Sequence, residues 1–147
     1  MKPALDDIDN KILALLMDDA RMPTSTIAKR VGIARTTAIA RIGAMEKRGV
    51  IAGYGLRLNQ AYQPAVRAYV GISLDPRSAA AFITRLQKMP EVETLCAVSG
   101  SVDYMLTLRC LSTAELDRLL DQIGALEGVR QTSTSIILTK RIDRSPI

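Results

Sequence analysis

Histidine is absent from this chain. Without an imidazole, a metal site built on His and a Ser-His-Asp triad are both excluded, and much of hydrolase chemistry goes with them. Cysteine is scarce: Cys96 and Cys110 are the only two. They lack paired-motif spacing and a disulfide-dense context, so they read as buried free thiols. No window approaches the roughly 18 consecutive apolar residues of a membrane span. The opening MKPALDDIDNK turns acidic at once and lacks the apolar core of a secretion signal. The expectation is a cytoplasmic protein with no membrane partner and no motif that calls for a cofactor.

What is present is basic and unevenly spread. The 147 residues carry a net charge of +5. Residues 1–60 hold ten Lys/Arg against six Asp/Glu, whereas residues 61–147 hold ten against nine. Between Thr24 and Leu58 the bias sharpens, with Lys29, Arg30, Arg35, Arg41, Lys47, Arg48 and Arg57 opposed only by Glu46. A polyanion is the economical partner for such a segment; the alternative is a solvated charged face.

The hydrophobic period is helical first. Asp6, with Asp9 three residues on, announces a helix to about Asp18 whose apolar face is Ile8, Ile12, Leu15 and Leu16. Pro23 begins a second helix over Thr24–Val31, with Thr24 and Ser25 as caps and Ile27, Ala28 and Val31 inward. The small Ala28 lets the next helix cross closely. Gly32 supplies the positive φ of a tight turn, and Ile33 plugs the gap between the helices. A third helix over Ala34–Arg48 turns Ala38, Ile39, Ile42 and Met45 inward and Thr36, Thr37, Ala40, Gly43, Ala44 and Lys47 outward. The pair is a helix-turn-helix, whose natural partner is DNA. After Gly49, Val50–Leu58 turns extended and reads as the wing or connecting strand of a winged helix.

Beyond residues 59–64, a polar, proline-terminated linker, the rhythm changes. Val66–Leu74 alternates as a strand, Arg77–Met89 is a helix with Ala80, Ile83 and Leu86 inward, and Val92–Ser99 and Tyr104–Cys110 are strands joined by a turn-forming loop. Ser112, with Glu115 in the capping-box position, starts a helix to about Leu126 that buries Leu116, Leu119, Leu120 and Ile123. Val129–Leu138 is a last strand. The order βαββαβ is the ferredoxin-like arrangement. The fold class is therefore α+β: a winged helix-turn-helix in residues 1–58 and a ferredoxin-like domain in residues 65–147. Both helices of the second domain cover one sheet face. A second copy is the candidate cover for the other, so a homodimer through the sheets is expected.

The chain resembles the Lrp/AsnC (leucine-responsive regulatory protein) family of transcription factors. The motifs that carry the resemblance are LDDIDNKILALL, DAR at Asp19–Arg21, IAKRVGI at Ile27–Ile33, ARIGAMEKRGVIAGY at Ala40–Tyr54, VSGSVDYML at Val98–Leu106 and GVRQTSTSIIL at Gly128–Leu138. The resemblance implies a sequence-selective regulator that binds double-stranded DNA as a dimer and assembles further into tetramers or octamers. It also implies that the ferredoxin-like half, the regulation-of-amino-acid-metabolism (RAM) domain, binds a small effector, commonly an amino acid. Carried over by motif, the effector residues are Gly100, Ser101, Val102, Asp103 and Tyr104 of one subunit and Thr132, Ser133 and Thr134 of another. One departure stands out: the family usually has Ser where this chain has Ala34. Losing that N-cap hydrogen bond costs about 1 kcal/mol, and leaves Thr36 or a DNA phosphate to cap the helix.

For DNA, the third helix is expected in the major groove with Lys29, Arg30, Lys47, Arg48 and Arg57 on phosphates. Arg35 is placed to read guanine, while Thr36, Thr37 and Ala40 meet thymine methyls or simply permit close approach. Arg41, at the edge of the outer arc, is assigned to a phosphate. With so few long polar readers, much of the selectivity is expected from DNA shape. For the effector, Asp103 is matched to an ammonium, and the amides around Gly100 and Ser101 with the hydroxyls of residues 132–134 to a carboxylate. The bland alternative makes GSVD a turn and TSTS a strand surface. Two rival classes are a ligand-independent architectural DNA protein and an enzyme on the ferredoxin-like half. Against the enzyme stand the missing histidine and the lack of a second carboxylate near Asp103 in sequence.

Overall fold

Two aspartates start the first helix by capping each other. In a computed structural model that describes residues 4–62 and 65–144, the Asp6 carboxylate accepts from the Asp9 N–H at 2.8 Å, and the Asp9 carboxylate accepts from the Asp6 N–H at 3.4 Å. This reciprocal box opens α1, Asp7–Asp18. Helix α2, Thr24–Val31, follows Pro23 and has no side-chain cap, so the expected Thr24 and Ser25 caps are not made. Pro23 itself takes the cap position, and its carbonyl accepts from Thr26 and Ile27. Gly32 at φ 80° ends α2 and turns the chain into α3, Arg35–Lys47. Ile12, Ile27 and Met45, one from each helix, are buried together, with Ile33, Val50 and Ile51 packed around them. Each fully buried aliphatic side chain of this kind contributes about 1.5–3 kcal/mol.

Two expectations for this unit are corrected. Ile39, expected in the core, is 48% exposed, because Ala38 and Met45 fill the contact to α1 and α2. Val50–Leu58 forms neither helix nor strand ladder among the described residues, so it is not a paired wing. Its anchor is the turn after α3, where the N–H groups of Val50 and Ile51 donate to the Met45 carbonyl.

The chain divides into two compact units, Met1–Arg57 with Arg144–Ile147, and Leu58–Asp143. The expected linker contains a 3-10 turn at Gln60–Tyr62, where the Ala61 N–H donates to the Asn59 side chain. Gln63 and Pro64 lie outside the described residues, as do residues 1–3 and 145–147 at the ends of the expected domains.

In the second unit, β1 (Val66–Leu74), α4 (Ala79–Leu86), β2 (Val92–Ala97), β3 (Tyr104–Cys110), α5 (Thr113–Gly124) and β4 (Val129–Ile136) follow in βαββαβ order. The sheet is antiparallel, in the order β2-β3-β1-β4. Alternate residues of β1 and β3, from Ala68 to Leu74 and from Leu106 to Cys110, face Phe82 and Leu86 of α4 and Leu116, Leu119 and Ile123 of α5 in one core. Helix α4 is shorter than expected because Pro76–Ser78 forms a separate 3-10 turn capped by Asp75. Ala80 is exposed and Phe82 takes the inward place assigned to it. Only Cys110 is the buried thiol; Cys96 is exposed on the edge strand β2, opposite Met105. Burial pushes the Cys110 thiol up from its usual range.

Candidate nucleic-acid interface and effector site

Helix α3 presents a nearly bare outer face. Arg35, Thr36, Thr37, Ala40, Gly43, Ala44 and Lys47 are all exposed, and Lys29 and Arg30 are exposed on the last turn of α2. Neither Ala34 nor Thr36 supplies a side-chain cap, so the amides at the start of α3 have no side-chain acceptor. Such a helix start favours an anion. A Cβ built on Gly43 meets nothing within 4 Å, so the fold itself does not need a glycine there.

Three of the expected phosphate ligands, Arg41, Arg48 and Arg57, have neighbours within the protein. Arg41 is the clear correction: its Nη1 donates to Asp6 Oδ2 at 2.6 Å and to Asp9 Oδ1 at 3.0 Å. A helical wheel gives the azimuth of Arg41 but not its neighbour, and that neighbour is the carboxylate-rich start of α1. Hydrogen bonds from Asp9 and then Arg41 hold the Asp6 carboxyl below its usual range. Arg48, seven residues on, is exposed but turns the same way, with Nη2 3.4 Å from the Ala4 carbonyl. Arg57 lines a groove with Leu13, Leu16, Met17 and Tyr54, a set that includes no residue of α3. Tyr54 is tied to α3 through its hydroxyl, which donates to Glu46 Oε1 at 2.7 Å.

The expected effector residues are split by the pleat of the sheet. Register pairs Val70 with Thr134, Gly71 with Ser133 and Ile72 with Thr132. Since Val70 and Ile72 belong to the core face, Thr132 and Thr134 share that face and Ser133 points to the other. On the open face a concavity of about 370 Å³ is lined by Tyr69, Gly71, Ser73, Ser101, Val102, Met105, Gln131, Ser133 and Ser135. Its lining is hydroxyl-rich and carries no charged side chain. Of the eight carried-over residues it contains Ser101, Val102 and Ser133. Gly100 is exposed in the loop at φ 128°. Tyr104 packs inward, its ring 6.0 Å from that of Phe82.

Asp103 has a structural task as well. Its Oδ2 accepts from the Leu74 N–H at 2.8 Å, its own N–H donates to Ile72, and its carbonyl accepts from Val98. It ties the β2–β3 loop to β1 through one carboxylate oxygen and is itself exposed. Gly71 is what lets that loop close, since a Cβ there would stand 3.1 Å from Val102 Cγ1. Sequence reasoning missed Tyr69, Gly71, Ser73, Met105, Gln131 and Ser135; the signal that finds them is the alternation of 131, 133 and 135 opposite 73, 71 and 69, with Met105 opposite Gly71 on the other side.

With this geometry in view, comparison with known proteins decides the family. Residues 67–147 match the Lrp/AsnC ligand binding domain, and residues 5–46 match the AsnC-type helix-turn-helix domain. The chain belongs to the Lrp/AsnC family of transcriptional regulators. The regulator LrpA of Mycobacterium tuberculosis is 36% identical over 149 residues, covering 100% of this chain and 99% of its own. The AsnC structure from E. coli superposes with a TM-score of 0.83 at 25% identity, covering 97% and 98% of the two chains. A Neisseria meningitidis transcriptional regulator, solved as a complex with L-Met, shares the fold at a TM-score of 0.84 and 22% identity, covering 98% and 96%. No helix among the described residues is long and apolar enough to cross a membrane.

Proposed function

We propose that this Lrp/AsnC regulator is a cytoplasmic, sequence-selective DNA-binding homo-oligomer whose assembly or DNA binding is modulated by an amino acid. The observation that carries the reading is the outer face of α3, whose exposed Arg35, Thr36, Thr37, Ala40 and Lys47 take no part in the core. Lys29, Arg30 and Lys47 would hold phosphates, and the uncapped start of α3 offers its amides to another. Arg35 would read a base edge. The short outer side chains favour selection by DNA shape.

The ligand-binding half supports the effector. A zwitterion in the concavity would meet Ser73, Ser133, Ser135 and Gln131 as hydrogen-bonding groups and Met105 and Val102 as apolar wall. The L-Met held by the Neisseria protein supports an amino acid as the class. The uncovered sheet face, with Tyr69 47% exposed, supports a second copy as its cover. An amino acid there would sit where subunits meet, and its binding would bias assembly.

The test is a thermal-shift screen against all amino acids, followed by binding to duplexes that the protein itself selects from a random library. At least one amino acid should raise the melting temperature and change either DNA affinity or the oligomer distribution. Indifference to every amino acid, with DNA binding intact, would establish the ligand-independent architectural reading instead.

A further inference from the structure

The Asp6–Asp9–Arg41 cluster is more constrained than a surface ion pair. All four carboxylate oxygens have assigned partners: Asp6 Oδ1 takes the Asp9 N–H and Asp6 Oδ2 takes Arg41, while Asp9 Oδ2 takes the Asp6 N–H and Asp9 Oδ1 takes Arg41. The capping box therefore aims both carboxylates before Arg41 arrives, so little side-chain freedom is lost on pairing. The Asp9 side chain is 11% exposed and that of Arg41 29%. Two carboxylates on one guanidinium, with Asp7 exposed beside them, leave this flank of α1 net negative. Arg41 is next to Ala40 in sequence and one turn from Thr37, so its aliphatic stem leaves α3 at the border of the outer face.

We propose that Asp6 and Asp9 are specificity-determining positioning residues: they hold Arg41 against α1, withhold its charge from DNA phosphates, and fix the azimuth of the recognition helix. The inference rests on the DNA-binding reading above. Phosphate contacts raise affinity for every sequence alike, whereas base contacts discriminate. A cation sequestered at the edge of the reading face thus lowers background binding without touching the readers. With the Arg48–Ala4 hydrogen bond, this polar link ties α3 to the start of α1.

The test compares wild type with Asp6→Asn, Asp9→Asn and the double variant, measuring binding to a random-sequence duplex and to a self-selected site across a salt series. Asn caps helices as well as Asp does, so α1 survives, and circular dichroism checks that it has. The double variant should bind the random duplex several-fold more tightly, with a salt slope steeper by about 0.9, the signature of one more phosphate contact. Its preference for the selected site should fall. Adding Arg41→Gln to the double variant should return the slope to the wild-type value.

An unchanged slope in the double variant would overturn the proposal, including the case where affinity for all DNA simply drops as a structural lesion would make it. So would a slope flattened by about 0.9 in Arg41→Gln alone, which would mean that Arg41 already sits on a phosphate. If wild type shows no salt-dependent duplex binding, the DNA reading itself falls and takes this inference with it.

Discussion

Gly43 offers a substitution whose effects on stability and on binding have opposite signs. It lies in the middle of α3, is exposed, has ordinary helical φ, and an added Cβ would meet nothing within 4 Å. Glycine in a helix interior costs about 0.8–1.0 kcal/mol relative to alanine. Gly43→Ala should therefore stabilise the helix-turn-helix by that amount, raising its melting temperature by about 4–8 °C for a cooperative unit of this size. In the proposed DNA complex the same methyl would stand on the outer face between Ala40 and Lys47, against the groove floor. Forcing a methyl into a close-packed contact costs about 1–3 kcal/mol, a loss of roughly fivefold to more than a hundredfold in Kd. The assay pairs thermal melting with titration of a labelled self-selected duplex. Gly124→Ala is the matched control: that glycine ends α5, is exposed and has open space around it. It should stabilise slightly and leave DNA binding alone. A Gly43→Ala protein that melts higher and binds DNA as tightly as wild type would refute the groove placement of α3.

Three further outcomes are expected. In dilute native protein, a thiol reagent should label Cys96 quickly and Cys110 only on unfolding; equal rates would contradict the assigned burial. Gly71→Ala should cost about 1–3 kcal/mol by pressing on Val102. Val102→Ala in that background should recover part of the loss, and strict additivity in the double-mutant cycle would remove the contact from the account. Tyr54 has its phenol pKa raised above 10.0, first by its hydrogen bond to Glu46 and then by burial and the Glu46 charge. A raised pKa means stability present below about pH 10 and lost as pH rises through the folded value. The stability gap between wild type and Tyr54→Phe should therefore close in strong alkali, and a gap that persists there would sink the assignment.

The limits of β1 and β3 were readable from the sequence because clean alternation ends at turn residues on both sides: Val66–Leu74 and Tyr104–Cys110 stand as expected. The start of α1 was readable for a different reason, a local side-chain to backbone bond between Asp6 and Asp9. Features decided by distant partners were not readable. Ile39 fits an apolar arc, yet the core has no room left for it; Arg41 fits an outer arc, yet a pair of carboxylates 35 and 32 residues earlier claims it. The effector residues show a third limit of sequence reading. A motif supplies a contiguous run such as residues 132–134, whereas a strand presents only every second residue to one side. The structural task of Asp103 was hidden because a sequence does not reveal that the Leu74 amide, 29 residues away, needs an acceptor.

The interleaving along β4 has an evolutionary consequence. Gln131, Ser133 and Ser135 line the open concavity, while Thr132 and Thr134 belong to the side that supports the core. In the proposed effector site, ligand preference would thus be written on alternate letters of one short segment. Drift at the odd positions would retune what the open face accepts and leave the residues on the helix side of the strand unchanged. A single scaffold can in this way diverge toward different ligands by substitutions that selection on folding scarcely sees.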